Sequence, residues 1–155
     1  MAECAITNGP LRDENVNTIL AEAKTIAIVG LSDKEESASN RVARYLGEQG
    51  YTIIPVNPRL TEILGEKSYP DLKSIPGHVD VVDIFRNVEA IPAIVDEAIA
   101  IKAGAVWMQL DLIHADAAAK ACDAGLRVVM DRCMKIEHTR LHGKAEEREK
   151  TTSSV

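Results

Sequence analysis

The sequence is poor in aromatic residues and in cysteine. Aromatic side chains make up only 3% of the 155 residues, with one Phe and one Trp, so a buried core has to be built mainly from Ile, Val, Leu and Ala. The three cysteines, Cys4, Cys122 and Cys133, are odd in number and match no metal-binding spacing. This usage favours reduced thiols and a cytoplasmic protein.

Long apolar runs and an excess of positive charge are also lacking. No run approaches the ~18 residues that a membrane span needs, and the N-terminus has no secretory-signal pattern. A net charge of −6 argues against broad binding to nucleic acid or to a membrane surface, because either needs a basic face. A local basic pocket for a small anion is compatible with this charge.

Strand and helix patterns alternate regularly along the chain. Apolar runs predict five buried strands, at 25–30, 51–56, 79–85, 105–110 and 126–130. Helical spacing of apolar residues appears in 15–24, 40–49, 88–102 and 114–123, while a long connection, 57–78, is irregular and rich in Pro and Gly. The alternation predicts an α/β fold: a doubly wound, three-layer, Rossmann-like fold with a five-stranded parallel sheet in the order 3-2-1-4-5. We expect an N-terminal extension (1–14), one domain (15–142) and a disordered tail (143–155).

Arginines and other polar residues follow the carboxyl ends of the predicted strands, where open α/β sheets bind ligands. The segments are Gly30-Leu31-Ser32, Asn57-Pro58-Arg59, Phe85-Arg86-Asn87, Gln109-Leu110-Asp111 and Asp131-Arg132-Cys133. Three arginines at one edge of an acidic protein predict an anionic ligand. The alternative is that these segments are polar only because surface loops are generally polar.

The first strand leads into a loop with one glycine, in the stretch "TIAIVGLSDKEESASNRVARYL". The dinucleotide fingerprint needs three glycines. Gly30 alone still permits a tight turn and close approach of a ligand, and the N–H groups after it can cradle phosphate. Arg41 and Arg44 oppose the dipole of the following helix, so a nearby anion would stabilise them. The alternative is pairing with Glu35, Glu36 or Glu48.

No acidic residue follows the second strand. NAD-binding folds place Asp or Glu there for the ribose 2′-hydroxyl, whereas this chain has Asn57-Pro58-Arg59. An arginine suits an additional phosphate, such as the ribose phosphate of NADP or the 3′-phosphate of coenzyme A. Two functions therefore stay open: a coenzyme A-binding protein, and an NADP-linked oxidoreductase with an atypical one-glycine loop.

Six segments together resemble the small stand-alone CoA-binding proteins, which are related to the CoA-binding domain of succinyl-CoA ligase. They are "IAIVGLSD", "NRVARYLGEQGYTIIPVNP", "LGEKSYPDLKSIP", "VDVVDIFRN", "AIAIKAGAVWMQL" and "AGLRVVMDRCMKIEH", and the resemblance spans about 19–141. It implies a Rossmann-like fold that binds CoA or an acyl-CoA across the strand ends, as a non-catalytic or regulatory protein. Leu31 departs from the family, in which a small residue usually follows the glycine.

The resemblance also assigns roles to individual residues. Gly30 and Ser32 would hold the pyrophosphate with Arg41. Asn57 and Pro58 would lie beside the adenosine, and Phe85 and Arg86 would pack against the nucleotide. The complete set of expected binding residues is Gly30, Leu31, Ser32, Asn40, Arg41, Val56, Asn57, Pro58, Phe85, Arg86 and Gln109.

No catalytic residue and no metal site are predicted. The histidines are scattered, and no nucleophile elbow or acid–base pair stands at a recognisable spacing, so we lean towards a protein that is not an enzyme. Cys133 is either a thiol activated by Arg132 and Lys135 or a small buried residue. Asp83, near the end of the third strand, is expected to accept hydrogen bonds from loop N–H groups. The expected partners are a small-molecule ligand and a second copy in a homodimer, with no nucleic acid or membrane.

Overall fold

A parallel sheet forms the middle layer of the structure, a computed structural model in which residues 5–6 and 11–143 are described. Its strands are β1 (Ala5–Ile6), β2 (Thr25–Val29), β3 (Thr52–Val56), β6 (Val81–Ile84), β7 (Ala105–Met108) and β8 (Arg127–Val129). Each neighbouring pair in this sheet is parallel. β4 (Glu62–Ile63) and β5 (Glu66–Lys67) form a separate antiparallel hairpin. The predicted α/β, Rossmann-like class is confirmed.

Helices cover both faces of the sheet. They are α1 (Leu11–Glu22), α2 (Ala38–Glu48), α3 (Ile91–Ala100), α4 (Ala115–Asp123) and α5 (Met134–His138). Successive side chains of a strand point to opposite faces, so Ile26 and Ile28 of β2 pack with α1, α2 and α5, while Ala27 and Val29 pack with α3 and α4. None of the helices in the described part of the chain is both long enough and apolar enough to cross a membrane.

The predicted strand order, 3-2-1-4-5, is wrong. The observed order is β1-β8-β7-β6-β2-β3, so the third predicted strand, β6, lies between the first and the fourth, and the five predicted strands run 2-1-3-4-5. The connection from β3 to β6 holds only the hairpin and one 3-10 turn, Leu72–Ser74, and returns past β2 instead of adding a strand beyond β3. Both orders are doubly wound, so alternation alone does not distinguish them.

Asp80 fixes this order at the amino end of the sheet. Its carboxylate accepts hydrogen bonds from the N–H groups of Lys24 at 2.7 Å and Thr25 at 3.1 Å, and its own N–H donates to the Thr25 hydroxyl at 3.0 Å. Burial raises the pKa of Asp80, but these N–H donors and His78 together hold it below its ordinary value. The contacts join the entrance of β6 directly to the entrance of β2.

The ends of the chain differ from the predicted boundaries. α1 begins at Leu11 rather than at Asn15, and β1 adds a sixth strand beside β8. The rest of the predicted extension and the predicted tail beyond residue 143 lie outside the described residues. Pro55, an awkward residue for a central strand, is tolerated because β3 is an edge strand.

Two expectations about buried polar groups are also wrong. Asp83 is fully buried, but neither carboxylate oxygen has a hydrogen-bond partner among the described residues, so it does not bind loop N–H groups. Cys122 is disulfide-bonded, which contradicts the expectation of three reduced thiols. Cys133 is free and half-buried against the cluster beneath α1, α2 and α5.

Candidate functional site

The site lies where the chain changes direction across the sheet. From β2 the chain passes through α2 to β3 on one side, and from β6 it passes through α3 to β7 on the other. β2 and β6 are neighbours, so their connections diverge and leave a crevice beyond their carboxyl ends. Open α/β sheets bind ligands at this position.

Gly30 forms the floor of this crevice. Its φ is +90°, a left-handed conformation that side chains disfavour, and its N–H donates to the Val56 carbonyl at 2.9 Å. A Cβ here would stand 2.4 Å from the Phe85 carbonyl oxygen and 2.9 Å from Cδ of Arg86. One glycine therefore serves two needs: the turn out of β2, and the close approach of the chain that leaves β6.

The loop from Leu31 to Ser37 is shaped by serine hydroxyls. The Ser32 hydroxyl accepts from the Lys34 N–H at 3.1 Å, and the Ser39 hydroxyl accepts from the Ser32 N–H at 3.0 Å. Ser37 caps α2, since its hydroxyl accepts from the Asn40 N–H at 3.2 Å. Within the described residues, the N–H of Asp33 has no hydrogen-bond partner, and Asp33 is exposed. The loop thus presents a free backbone donor, as a phosphate-binding loop does.

Two asparagines brace this loop. Asn40 is buried, donates through Nδ2 to the Ser32 carbonyl at 2.9 Å, and accepts through Oδ1 from Arg44 Nε at 2.8 Å. Asn57 donates through Nδ2 to the Leu31 carbonyl at 2.9 Å and accepts from the Arg59 N–H at 2.9 Å. These residues position the loop, and each amide keeps one N–H and one oxygen lone pair beyond these bonds.

Three arginines at the carboxyl edge have free guanidinium groups. Arg41 in the first turn of α2, Arg59 after β3 and Arg86 after β6 are exposed, and none has a side-chain hydrogen bond or ion pair among the described residues. Arg44 differs, because it bonds Asn40 and the carbonyl of Glu35. The alternative that Arg41 pairs with a nearby glutamate is therefore not realised. Three unpaired cations at one edge of a protein with a net charge of −6 form a local attraction for anions.

A cavity of about 200 Å³ opens beside the crevice, on the α3 face. Val56 and Pro58 form the side nearest β3, Leu72 lies in the 3-10 turn, and Arg86 and Ile94 close the opposite side. Its walls are mainly apolar, with one cation at the rim and two carboxylates on the wall. The apolar part suits a flat, aromatic group, and the cation suits a phosphate attached to it.

The remaining expected binding residues occupy supporting positions. Leu31 is fully buried in the cluster beneath α1, α2 and α5, and Phe85 packs half-buried against the same cluster. The side chain of Leu31 therefore points away from the crevice, so its size does not crowd it. Gln109 is buried, and its Oε1 accepts from the Met134 N–H at 3.2 Å, which ties the end of β7 to α5.

Some residues of the cavity were not predicted as site residues. Glu97 of α3 accepts from the Leu72 N–H at 2.9 Å through Oε1, and Asp71 caps the 3-10 turn by accepting from the Ser74 N–H at 2.9 Å. Both lie on the cavity wall. No sequence pattern indicated that Glu97 lines the cavity, because it lies in an ordinary amphipathic helix. Asp71 lies within the quoted segment "LGEKSYPDLKSIP".

The chain matches a known family model over most of its length. Residues 24–139 match the model described as a CoA binding domain. This range runs from the start of β2 to the end of α5, and so includes the crevice, the glycine loop and all three free arginines.

Individual relatives agree with this match. Protein YneT of Bacillus subtilis (strain 168), an uncharacterized protein, is 38% identical over 123 residues, covering 79% of this chain and 91% of the relative. An ADP-forming acetate–CoA ligase of Archaeoglobus fulgidus is 34% identical over 74 residues, which is 48% of this chain but 11% of the ligase. A solved structure, the hypothetical protein from Pyrococcus horikoshii OT3, has a TM-score of 0.81 and 43% identity, over 83% of this chain and 91% of that one.

Proposed function

Because the chain belongs to the CoA-binding domain family, we propose that it binds coenzyme A, free or as an acyl thioester, at the carboxyl ends of its strands, and acts as a non-catalytic or regulatory binding protein. The observation that carries the proposal is the set of three unpaired guanidinium groups around the Gly30 loop. Coenzyme A has a pyrophosphate and a 3′-phosphate, so it supplies negatively charged partners for these arginines.

Each part of the ligand has a matching surface. The pyrophosphate would lie over the loop, where the N–H of Asp33 is free and Arg41 adds a charge-assisted donor. The adenosine would enter the cavity between Pro58 and the stem of Arg86. Arg59, after β3, would then be placed to receive the 3′-phosphate.

Binding without catalysis is part of the proposal, and the position of one histidine agrees with it. His78 pairs with Asp80 at 3.2 Å, at the amino end of the sheet and away from the crevice. Among the described residues no cluster of His, Cys, Asp or Glu could hold a metal ion. A cytoplasmic location and a homodimer stay predictions.

One observation favours the second candidate. Arg59 follows β3, where NADP-binding folds place an arginine for the 2′-phosphate. An NADP-linked oxidoreductase is therefore the alternative, and the same experiment distinguishes the two.

The test is isothermal titration with CoA, dephospho-CoA, NADP and NAD, on the wild type and three variants. Arg41→Ala removes a charge-assisted phosphate contact, and Arg86→Ala removes the stem beside the adenosine together with its positive charge. Each should weaken CoA binding by about 1–3 kcal/mol, or roughly five- to 150-fold. Arg127→Ala is the matched control, because Arg127 lies at the amino end of β8 and pairs with Glu22 at 3.5 Å. NADP binding without CoA binding would favour the alternative over the CoA proposal, and no binding of any ligand would refute both.

A further inference from the structure

Arg44 links helix α2 to the loop that runs from residue 31 to residue 37. Its Nε donates to Oδ1 of Asn40 at 2.8 Å, and its Nη2 donates to the carbonyl of Glu35 at 2.9 Å. Arg41, one turn earlier in the same helix, has a free guanidinium group among the described residues. The two exposed arginines of α2 therefore have different contacts, and the function proposed above uses only Arg41.

The guanidinium group of Arg44 sets the orientation of the Asn40 amide. A guanidinium group can only donate hydrogen bonds, so the amide must turn its oxygen towards Arg44. Nδ2 of the amide is then left to donate to the Ser32 carbonyl, which it does at 2.9 Å. Asn40 is 1% exposed, and Arg44 is the partner of its Oδ1 among the described residues. Without Arg44 a buried oxygen would lose this donor, and the amide would lose the group that fixes its orientation.

These bonds engage the carbonyl groups of the loop, which matter for an anion. The carbonyls of Leu31, Ser32 and Glu35 each accept from a side-chain nitrogen, and the last two of these bonds depend on Arg44. A free carbonyl oxygen has a partial negative charge and disfavours an anion nearby, whereas a free N–H favours one. Holding the carbonyls on side-chain donors therefore keeps the loop in a conformation that can offer the N–H of Asp33.

We infer that Arg44 is a positioning residue for anion binding: it does not touch the ligand, and it raises the affinity by holding the loop 31–37 in its binding conformation. This inference rests on the CoA binding proposed above. A ligand that meets an ordered loop loses less conformational entropy on binding. Lysine keeps the positive charge but has a methylene group where arginine has Nε. Arg44→Lys therefore separates the positioning role from a role of charge alone.

The test compares Arg44→Lys with the wild type in two measurements. The first is the Kd for CoA by isothermal titration, which should rise by about fivefold or more, the equivalent of one lost hydrogen bond. The second is amide hydrogen exchange of the ligand-free protein by NMR. The N–H groups of Ser32 and Lys34, which are held by serine hydroxyls, should exchange about fivefold faster or more because the loop opens more often.

Three further variants identify the mechanism. Arg41→Ala should weaken CoA binding without changing the exchange of the loop, because the guanidinium group of Arg41 holds nothing in the loop. Arg127→Lys is the matched control, at the amino end of β8, and should change neither measurement. In an Asn40→Ala background, Arg44→Ala should raise the Kd by a smaller factor than in the wild type, because Arg44 acts largely through that amide. A loss of overall stability alone would not produce this coupling in the Kd.

Unchanged exchange of the loop in Arg44→Lys would overturn this inference and leave the proposed CoA binding intact. Faster exchange with an unchanged Kd would also overturn it, because the order of the loop would then not contribute to affinity. An unchanged Kd in Arg44→Lys together with a raised Kd in Arg44→Ala would assign Arg44 a role of charge instead. Failure of the wild type to bind CoA would refute the proposed function and this inference with it.

Discussion

Asp83 should make the stability of the protein depend on pH in a particular direction. The residue lies in β6 between Ile28 of β2 and Trp107 of β7, and all three side chains are fully buried. Neither of its oxygens has a partner among the described residues, and burial raises the pKa of Asp83 well above its ordinary value of 3.8. The folded protein therefore keeps a neutral carboxyl group where the unfolded chain ionises.

The sign and size of this pH dependence of stability follow from proton linkage. Above about pH 4 the unfolded chain loses the Asp83 proton while the folded protein retains it, so the free energy of unfolding falls by about 1.4 kcal/mol per pH unit until the folded pKa is reached. Asp83→Asn has nearly the same volume and does not titrate. As the pH rises from 5 to 7 the variant should therefore gain stability relative to the wild type, by at most about 1.4 kcal/mol per pH unit.

The assay is urea denaturation at pH 5, 6, 7 and 8 and constant ionic strength. The fluorescence of Trp107, the only tryptophan, reports unfolding next to the substituted position. Asp123→Asn, on the exposed last turn of α4, serves as a control that should differ from the wild type by a constant amount. If the curves for the wild type and Asp83→Asn are parallel, the carboxyl group is not held neutral by burial and the reasoning is refuted.

Three further predictions concern the loop and the strand order. Gly30→Ala should lower the free energy of unfolding by about 2 kcal/mol or more, because its Cβ would stand 2.4 Å from the Phe85 carbonyl oxygen. The variant should also lose the thermal shift with CoA. A stable variant that still binds CoA would contradict this prediction. Asn57→Ala removes the bond to the Leu31 carbonyl and should cost about 1–3 kcal/mol in urea denaturation, with an unchanged midpoint as the contrary result. Asp80 has a lowered pKa in the fold, so its contribution to the free energy of unfolding is present above pH 4 and is lost as the pH falls through the folded pKa. The stability advantage of the wild type over Asp80→Asn should therefore shrink between pH 6 and pH 3. A constant advantage would show that the carboxylate does not act through its charge.

The buried strands were predictable because their composition is a local property. β2, β6 and β7 are mainly apolar and buried on both faces, and such runs have few stable positions other than the middle of a layered fold. The need for a glycine at the end of β2 was predictable for the same reason, since a strand that turns into a phosphate-type loop requires a left-handed residue. Of the three arginines located from the strand ends, Arg59 and Arg86 are exposed at the carboxyl edge, whereas Arg132 pairs with Glu137 at 3.1 Å.

Roles that depend on pairing were not predictable. Asn40 and Asn57 stay predicted ligand contacts, and the structure adds that their amides brace the loop. Leu31 also stays a predicted site residue, and the structure adds that its side chain is buried in the core. In each case the residue type is compatible with both roles, and only the position of a distant partner decides between them.

The sequence by itself determined the α/β class, the parallel sheet covered on both faces, and a cationic edge at the carboxyl ends of the strands. These depend on apolar periodicity and on the direction of the chain, which are properties of neighbouring residues. Only the tertiary structure decided that β6 inserts beside β2, that the asparagines brace the loop, and that Asp83 is buried without a partner. These features depend on contacts between residues far apart in the chain, such as Thr25 with Asp80, and no local pattern records such contacts.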